Sequence, residues 1–417
     1  MPVSYATPKV ALLCQPASRH AMCITLLRFN PLARLVWLVC SARSVLMALL
    51  FPAAMLAAPA VVYAAGNDIV VGQIFDQSPA WIEAGRDYAA GAKTYFDLIN
   101  SEGGVSGKRI VYLTKDAKGT AADVKRAAEE LTGEGKVDVL FGPVGDATMR
   151  ALLDLKDAQT QSVAIFGPLS GIAPARASVL TLRASYEEEA SELLRHFSGL
   201  GLTSICLVFT RDEEQQAAVR AVREAIRQLN RTLTCEVPVD DTQGGAKNAA
   251  GAVQAKQPQA VIVLGDTAVL GNFAREFPFK KLGVLIGGLS LVNHTALMEI
   301  AGPLAAKGIV LTQVVPSPQR EGVPIVREFV RALKKFRDEP PSHLALEGFI
   351  AGKALIESLR AGLVGKPVRR EDVQAILSRA RKDTAPSLAT TDTGMMNTKG
   401  GKPVDVTMVR GDGTLIR

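Results

Sequence analysis

Gly91-Ala92-Lys93-Thr94-Tyr95-Phe96-Asp97-Leu98-Ile99-Asn100-Ser101-Glu102-Gly103-Gly104-Val105-Ser106-Gly107-Lys108-Arg109-Ile110-Val111-Tyr112-Leu113 carries a helix end, a glycine turn and a strand start in one run. Tyr88, Ala92, Tyr95, Phe96 and Ile99 recur at helical spacing, which predicts an amphipathic helix over 85–100 with this stripe in the core. Gly103-Gly104 and Gly107 stop the helix and turn the chain into the strand that begins at Ile110. Upstream, the apolar run Ile69-Val70-Val71-Gly72-Gln73-Ile74 reads as a buried strand. Strand, helix, turn and strand in that order predict a βαβ unit with parallel strands.

The same alternation continues outward. A helix over 120–132 leads into Val137-Asp138-Val139-Leu140-Phe141, and one over 147–158 leads into Val163-Ala164-Ile165-Phe166. The pattern then restarts. Val179 to Ser185 is a strand-like passage, followed by a helix over 187–198 and the strand Ser204-Ile205-Cys206-Leu207-Val208-Phe209. Next come a helix over 212–229, a strand around Cys235, and strands at Ala260 to Leu264 and Val284 to Ile286. Gly308 to Thr312 leaves this second unit, and long helices follow over 324–337 and 344–361. The fold class is therefore α/β, a parallel sheet covered on both faces followed by a second α/β unit.

The ends bound where the chain works. Residues 1–64 hold Lys9, Arg19, Arg28, Arg34 and Arg43 and no acid. An apolar run from Val45 to Val62 and the small-x-Ala site Val62-Tyr63-Ala64 complete the order of a secretory signal, with Met22 as a second start that would shorten it. Cleavage after Ala64 is expected to put the mature chain in the periplasm. The formal charge of +7 falls to +2 once the five leader charges are set aside, and aromatics are only 5%, so no nucleic-acid partner is expected. Of five cysteines, Cys206 and Cys235 remain after processing. An oxidising compartment permits a disulfide between them, whereas two buried free thiols are the plainer reading.

Ligands of open parallel sheets bind beyond the carboxyl ends of the strands. Four predicted strand ends carry Gly, Ser, Thr or Asp: Gly142 to Thr148, Gly167 to Gly171, Gly265 to Ala268, and Gly287 to Ser290. The first reads either as a cradle for an anion or polar group or as a plain turn with Asp146 as helix N-cap. Ser170 departs from the G-x-S-x-G pattern of a nucleophile elbow. There is no Walker loop and no G-x-G-x-x-G in the first βα turn, and His196, His294 and His343 lack metal-ligand spacing. No enzyme activity, metal or cofactor is expected. Glu187-Glu188-Glu189 reads as the acidic start of a helix, and Lys334-Lys335 as a solvated face.

These residues carry a resemblance. Residues 68–363 resemble the leucine/isoleucine/valine-binding family of periplasmic solute receptors, the bi-lobed binding proteins of ABC importers. Gly91 to Ile110 is similar to that family's "G…a…iN..GGi.G..i" signature, with Asp116 after the second strand. Phe141-Gly142-Pro143, Leu182-Arg183-Ala184-Ser185 and Leu346-Glu347-Gly348-Phe349-Ile350-Ala351-Gly352-Lys353-Ala354-Leu355 also resemble it. The resemblance implies two Rossmann-like lobes of the type I periplasmic binding protein kind, joined by three crossovers near Arg183, near Thr312 and within 380–400. The lobes would comprise 65–183 with 313–380, and 184–312 with the C-terminal segment 381–417.

It further implies that a ligand's α-carboxylate is held by positions matching Gly145, Asp146 and Thr148 together with Leu169, Ser170 and Gly171. The second lobe would supply the turn at Asp266 and Thr267. Two positions depart from the family pattern. Its Tyr-Gly is Gln215-Gln216 here, and its acidic ammonium anchor falls at Gly288-Leu289-Ser290, which has no carboxylate, so Asp266 or Asp146 would have to substitute. Trp81, in the loop after the first strand, either lines the cleft or packs on the surface. The expected function is capture of a small polar or carboxylate-bearing ligand and its delivery to an ABC transporter permease in the inner membrane, by a monomer. The alternatives are a ligand sensor, an exported hydrolase using Ser170, and a receptor that has lost its ligand.

Overall fold

The computed structural model describes residues 68–417 apart from 79–80, 119, 134–136, 157, 173–177, 212–214, 241–242, 363–369 and 384–401. The expected leader, its cleavage site and most of the expected third crossover lie outside the described residues.

β1 (Ile69–Asp76), α1 (Ile82–Ser101), β2 (Ile110–Ala117), α2 (Ala121–Thr132), β3 (Val139–Phe141), α3 (Asp146–Asp154), α4 (Ala158–Gln161), β4 (Ala164–Phe166) and β5 (Val179–Leu180) form the first lobe's sheet and its connections. The strand order is β2-β1-β3-β4-β5, with every pair parallel. The three residues of β3 are all buried, as a parallel strand covered on both faces must be. Tyr88, Tyr95 and Phe96 lie in the core, as their spacing predicts.

The second lobe runs α5 (Tyr186–Gly199), β6 (Ser204–Phe209), α6 (Gln216–Gln228), β7 (Thr232–Pro238), α7 (Gln243–Lys256), β8 (Ala260–Leu264), α8 (Thr267–Glu276), α9 (Phe279–Leu282), β9 (Leu285–Gly288), α10 (His294–Ala301), α11 (Pro303–Ala306) and β10 (Val310–Gln313). Two helices, α12 (Pro324–Phe336) and α13 (His343–Gly362), then pack back against α1 in the first lobe. α14 (Arg370–Asp383) touches β3, β4 and β5. β11 (Asp405–Val409) and β12 (Leu415–Ile416) close the second sheet, whose order is β12-β11-β10-β9-β8-β6-β7. β11 pairs antiparallel with β10, and the strands from β10 to β7 are parallel. Each sheet carries an apolar core on both faces.

The chain passes between the lobes three times: after β5, after β10, and between α14 and β11. Two sequence expectations change here. The strand-like passage 179–185 is a strand only at Val179–Leu180; Thr181 to Ser185 is the first crossover, and Ser185 caps α5 in a capping box with Glu188. Cys206 and Cys235 are joined in a disulfide, which overturns the plainer reading of free thiols. The two cysteines are register partners on adjacent strands with Cα atoms 4.7 Å apart, inside the range a bridge can span. Spacing along the chain could not show that β6 and β7 are neighbours. Because the bridge spans 29 residues, its loss removes a constraint on the unfolded chain. The Cys206→Ala/Cys235→Ala protein is expected to lose about 3 kcal/mol, read from urea unfolding under non-reducing conditions. An unchanged midpoint would contradict this.

Candidate functional site

A doubly wound sheet opens a crevice where its strand order reverses, because the connections on either side run to opposite faces. In the first sheet that point lies between β1 and β3, and in the second between β6 and β8. A cleft of about 180 Å³ lies between the lobes at these strand ends. Trp81, Glu83 and Ala84 line it from the loop after β1 and the start of α1. Gln215 after β6, Gly265 to Ala268 after β8, and Leu289 and Leu291 to Asn293 after β9 line it from the second lobe, together with Tyr186 and Ile300.

Of the expected site residues, Trp81, Gln215, Asp266 and Thr267 reach this cleft. Trp81 is 3% exposed, so it packs in the core while it lines the cleft. Asp266 caps α8, its Oδ1 accepting from the Val269 N–H at 2.8 Å. Thr267 Oγ1 accepts from the Asn293 N–H at 3.0 Å, which ties the turns after β8 and β9 together. Asn293 in turn caps α10, accepting from the Thr295 and Ala296 N–H groups.

The first-lobe positions are arranged otherwise. Gly145, with φ 95°, is the residue that precedes α3, and Asp146 is its first helical residue. Asp146 is therefore not the N-cap: its carboxylate points to Ser170, whose Oγ donates to Oδ1 at 2.6 Å, and to Tyr186, whose hydroxyl donates to Oδ2 at 2.9 Å. Burial pushes the Asp146 carboxyl up, against the pull of these two hydrogen bonds and of Arg150 and Arg183. The Tyr186 ring packs against Gly171, where an added Cβ would stand 2.4 Å from it, so glycine is required there for the ring to fit. Leu169 is fully buried and bridges Val144. Thr148 is buried, and its hydroxyl has no hydrogen-bond partner among the described residues. Among the described residues, Ser170 Oγ donates to Asp146 and accepts from the Ile172 N–H at 3.2 Å, and no histidine hydrogen-bonds it.

Ser290 does not line the cleft. It belongs to a buried ionic node behind it, in which the Arg183 guanidinium donates to the Ser290 hydroxyl and pairs with Glu189 at 3.3 Å and Glu347 at 3.5 Å. Glu189 also accepts from the Ser290 N–H at 2.9 Å and from the Thr312 hydroxyl. Lys402 donates to the Thr181 hydroxyl and the Arg183 carbonyl, and its N–H donates to Glu188. The node thus joins the first crossover, the end of β10 before the second, the chain leaving the third, and α13 of the first lobe. The acidic start of α5 was legible in Glu187-Glu188-Glu189. That Glu189 turns inward to Arg183 was not, because helical spacing alone does not say which face is covered.

A second contact spans the lobes. His294 at the start of α10 and His343 at the start of α13 meet edge to face, with ring centroids 4.9 Å apart. Burial, with His294 beside it, pushes His343 down to about 3, and burial also lowers His294. An unfolded histidine titrates near 6.5, so between about pH 6.5 and pH 3 the unfolded chain binds a proton that the folded one refuses. This term therefore destabilises the fold as pH falls below 6.5. Relative to wild type, His343→Phe is expected to gain thermal stability progressively from pH 6.5 to pH 4. A stability difference that does not change with pH would contradict the assignment.

Sequence reasoning missed Tyr186, Glu83 and Asn293. Tyr186 directly follows the Leu182-Arg183-Ala184-Ser185 motif, and the bare Gly171 was the signal that a ring would lie against it.

The model of the periplasmic binding protein family matches residues 68–414. The chain belongs to that family. A substrate-binding periplasmic protein from Ralstonia solanacearum superposes with a TM-score of 0.73 at 25% identity, over 84% of this chain and 99% of that one. A possible leucine/isoleucine/valine-binding protein from Rhodopirellula baltica gives 0.70 at 21%, over 84% and 96%. A branched-chain amino acid ABC transporter protein from Thermus thermophilus with bound valine gives 0.71 at 17%, over 84% and 95%. The comparison with curated proteins gave no match. The family and its bi-lobed type I fold agree with the resemblance drawn from Gly91 to Ile110. Membership implies a periplasmic location and a binding role, and among the described residues no helix is long and apolar enough to cross a membrane.

Proposed function

We propose that this periplasmic binding protein captures a small polar solute in the interlobe cleft and presents it, unaltered, to the permease of an ABC importer. The observation that carries this reading is the position of the cleft. It lies at the switch points of both sheets at once, and each lobe supplies part of its wall. A solute bound there touches both lobes only when they are together, so binding favours the closed form by its differential affinity for that form. Closure would bend the three crossovers, and the permease would read the closed shape. The leader expected over residues 1–64 supports delivery from outside the inner membrane.

A thermal-shift screen of amines, amino acids, carboxylates and amides tests the reading. Binding at one hundred times Kd stabilises the folded state by about 2.7 kcal/mol, a clear rise in Tm. Mass spectrometry of the released solute should return it unchanged. Chemical conversion of the solute would contradict the reading, and so would a Tm indifferent to the whole screen.

A further inference from the structure

The charge of the cleft narrows the solute class. Among the described residues, the charged side chains that line it are Glu83 and Asp266, both acidic; no lysine, arginine or histidine does so. Asp266 uses Oδ1 to cap α8, and its other oxygen makes no hydrogen bond among the described residues. The buried Arg183 pairs with Glu189 and Glu347, donates to Ser290 and does not line the space.

The first-lobe hydroxyls are also engaged. Ser170 and Tyr186 both donate to Asp146, which is a carboxylate of the protein itself. The Tyr186 ring lines the cleft while its hydroxyl reaches Asp146, and neither Asp146 nor Ser170 lines the space. An incoming carboxylate would therefore find these donors satisfied, no cation in the wall, and two acids facing it. Burying an anion under those conditions carries a desolvation penalty without a compensating partner. An ammonium meets the opposite situation: a carboxylate at Asp266 and a second at Glu83.

We infer that the cleft selects a small protonated amine that carries no carboxylate, with Asp266 as its anionic anchor. This rests on the reading of the cleft as a solute site. At about 180 Å³ the cleft lies below the roughly 300–1,000 Å³ of drug-sized ligand pockets, which suits a small solute.

Three compounds with one aliphatic body separate the charges: isopentylamine, leucine and 4-methylpentanoate. Isothermal titration of the processed protein at neutral pH is expected to give at least about tenfold tighter binding for isopentylamine than for 4-methylpentanoate. Leucine should fall below isopentylamine. Asp266→Asn should weaken amine binding at least about tenfold, while asparagine still caps the helix and keeps Tm close to wild type. Glu83→Gln should weaken it less, since Glu83 is exposed at the rim. Tighter binding of 4-methylpentanoate or leucine than of isopentylamine overturns the amine assignment while leaving solute capture intact. No binding of any of the three, or of the matched set phenethylamine, phenylalanine and 3-phenylpropanoate, at millimolar concentration overturns the amine assignment; solute capture falls with it only if Tm is also indifferent to the whole screen.

Discussion

Arg183→Met is expected to destabilise the protein by about 3–5 kcal/mol, because it leaves Glu189 and Glu347 buried without their shared cation. Glu189 retains hydrogen bonds from Ser290 and Thr312, but these do not neutralise its charge. Glu347 has only Arg183 as an ion-pair partner among the described residues, and burial pushes its carboxyl up against the pull of that guanidinium. The cost should therefore shrink at acid pH, where Glu347 takes a proton more readily once Arg183 is gone. Urea unfolding at pH 7 and pH 5 reads both effects. The triple replacement Arg183→Met, Glu189→Met, Glu347→Met removes every charge of the node. It is expected to recover part of the loss, since a buried ion pair replaced by apolar groups of similar volume is often neutral. A single Arg183→Met mutant as stable as wild type would mean that the node is hydrated rather than buried.

The second large effect is steric. α1 and α13 cross so closely that a Cβ on Gly91 would stand 1.7 Å from the Ala345 carbonyl oxygen, and one on Gly348 would stand 1.9 Å from the Tyr88 carbonyl oxygen. Both obstacles are backbone atoms, so no rotamer change relieves them. Gly91→Ala or Gly348→Ala must push the helices apart along an interface whose core includes Tyr88, Ala92, Leu346 and Phe349. Overpacking at this depth is expected to cost on the order of 4 kcal/mol for either substitution. The double mutant should fail to accumulate as folded protein. Circular dichroism and unfolding midpoints check this; a midpoint within a degree of wild type for either single mutant would contradict the crossing.

Those two glycines also show how much of the fold could be read in advance. Gly91 and Gly348 stand out as members of a family-like pattern, yet their reason is contact between two helices far apart in sequence. Periodicity gives the α/β alternation because each helix and strand buries a face whatever its neighbours are. It does not give strand order, so the pairing of β6 with β7, and hence the Cys206–Cys235 bridge, stayed open until the sheet was seen.

The site divides in the same way. Asp266 and Thr267 follow the end of β8, and Trp81 and Gln215 lie in the connections that leave β1 and β6, so all four sit at the crevice by topology. Asp146, Ser170 and Ser290 also follow strand ends, but they are turned away by tertiary partners: Tyr186 for the first two, and the Arg183 node for the third. Nothing local in Phe141-Gly142-Pro143-Val144-Gly145-Asp146 says that a tyrosine forty residues later will donate to that aspartate.

Two lobes that close on a small solute must approach each other when it binds. Spin labels on Arg86→Cys in α1 and Thr295→Cys in α10, both exposed and one on each lobe, report the distance across the cleft by pulsed electron resonance. With the solute that raises Tm most in the screen, the account predicts a distance distribution that shortens and narrows on saturation and returns to its broader form when the solute is dialysed away. A distribution unmoved by saturating solute would contradict it.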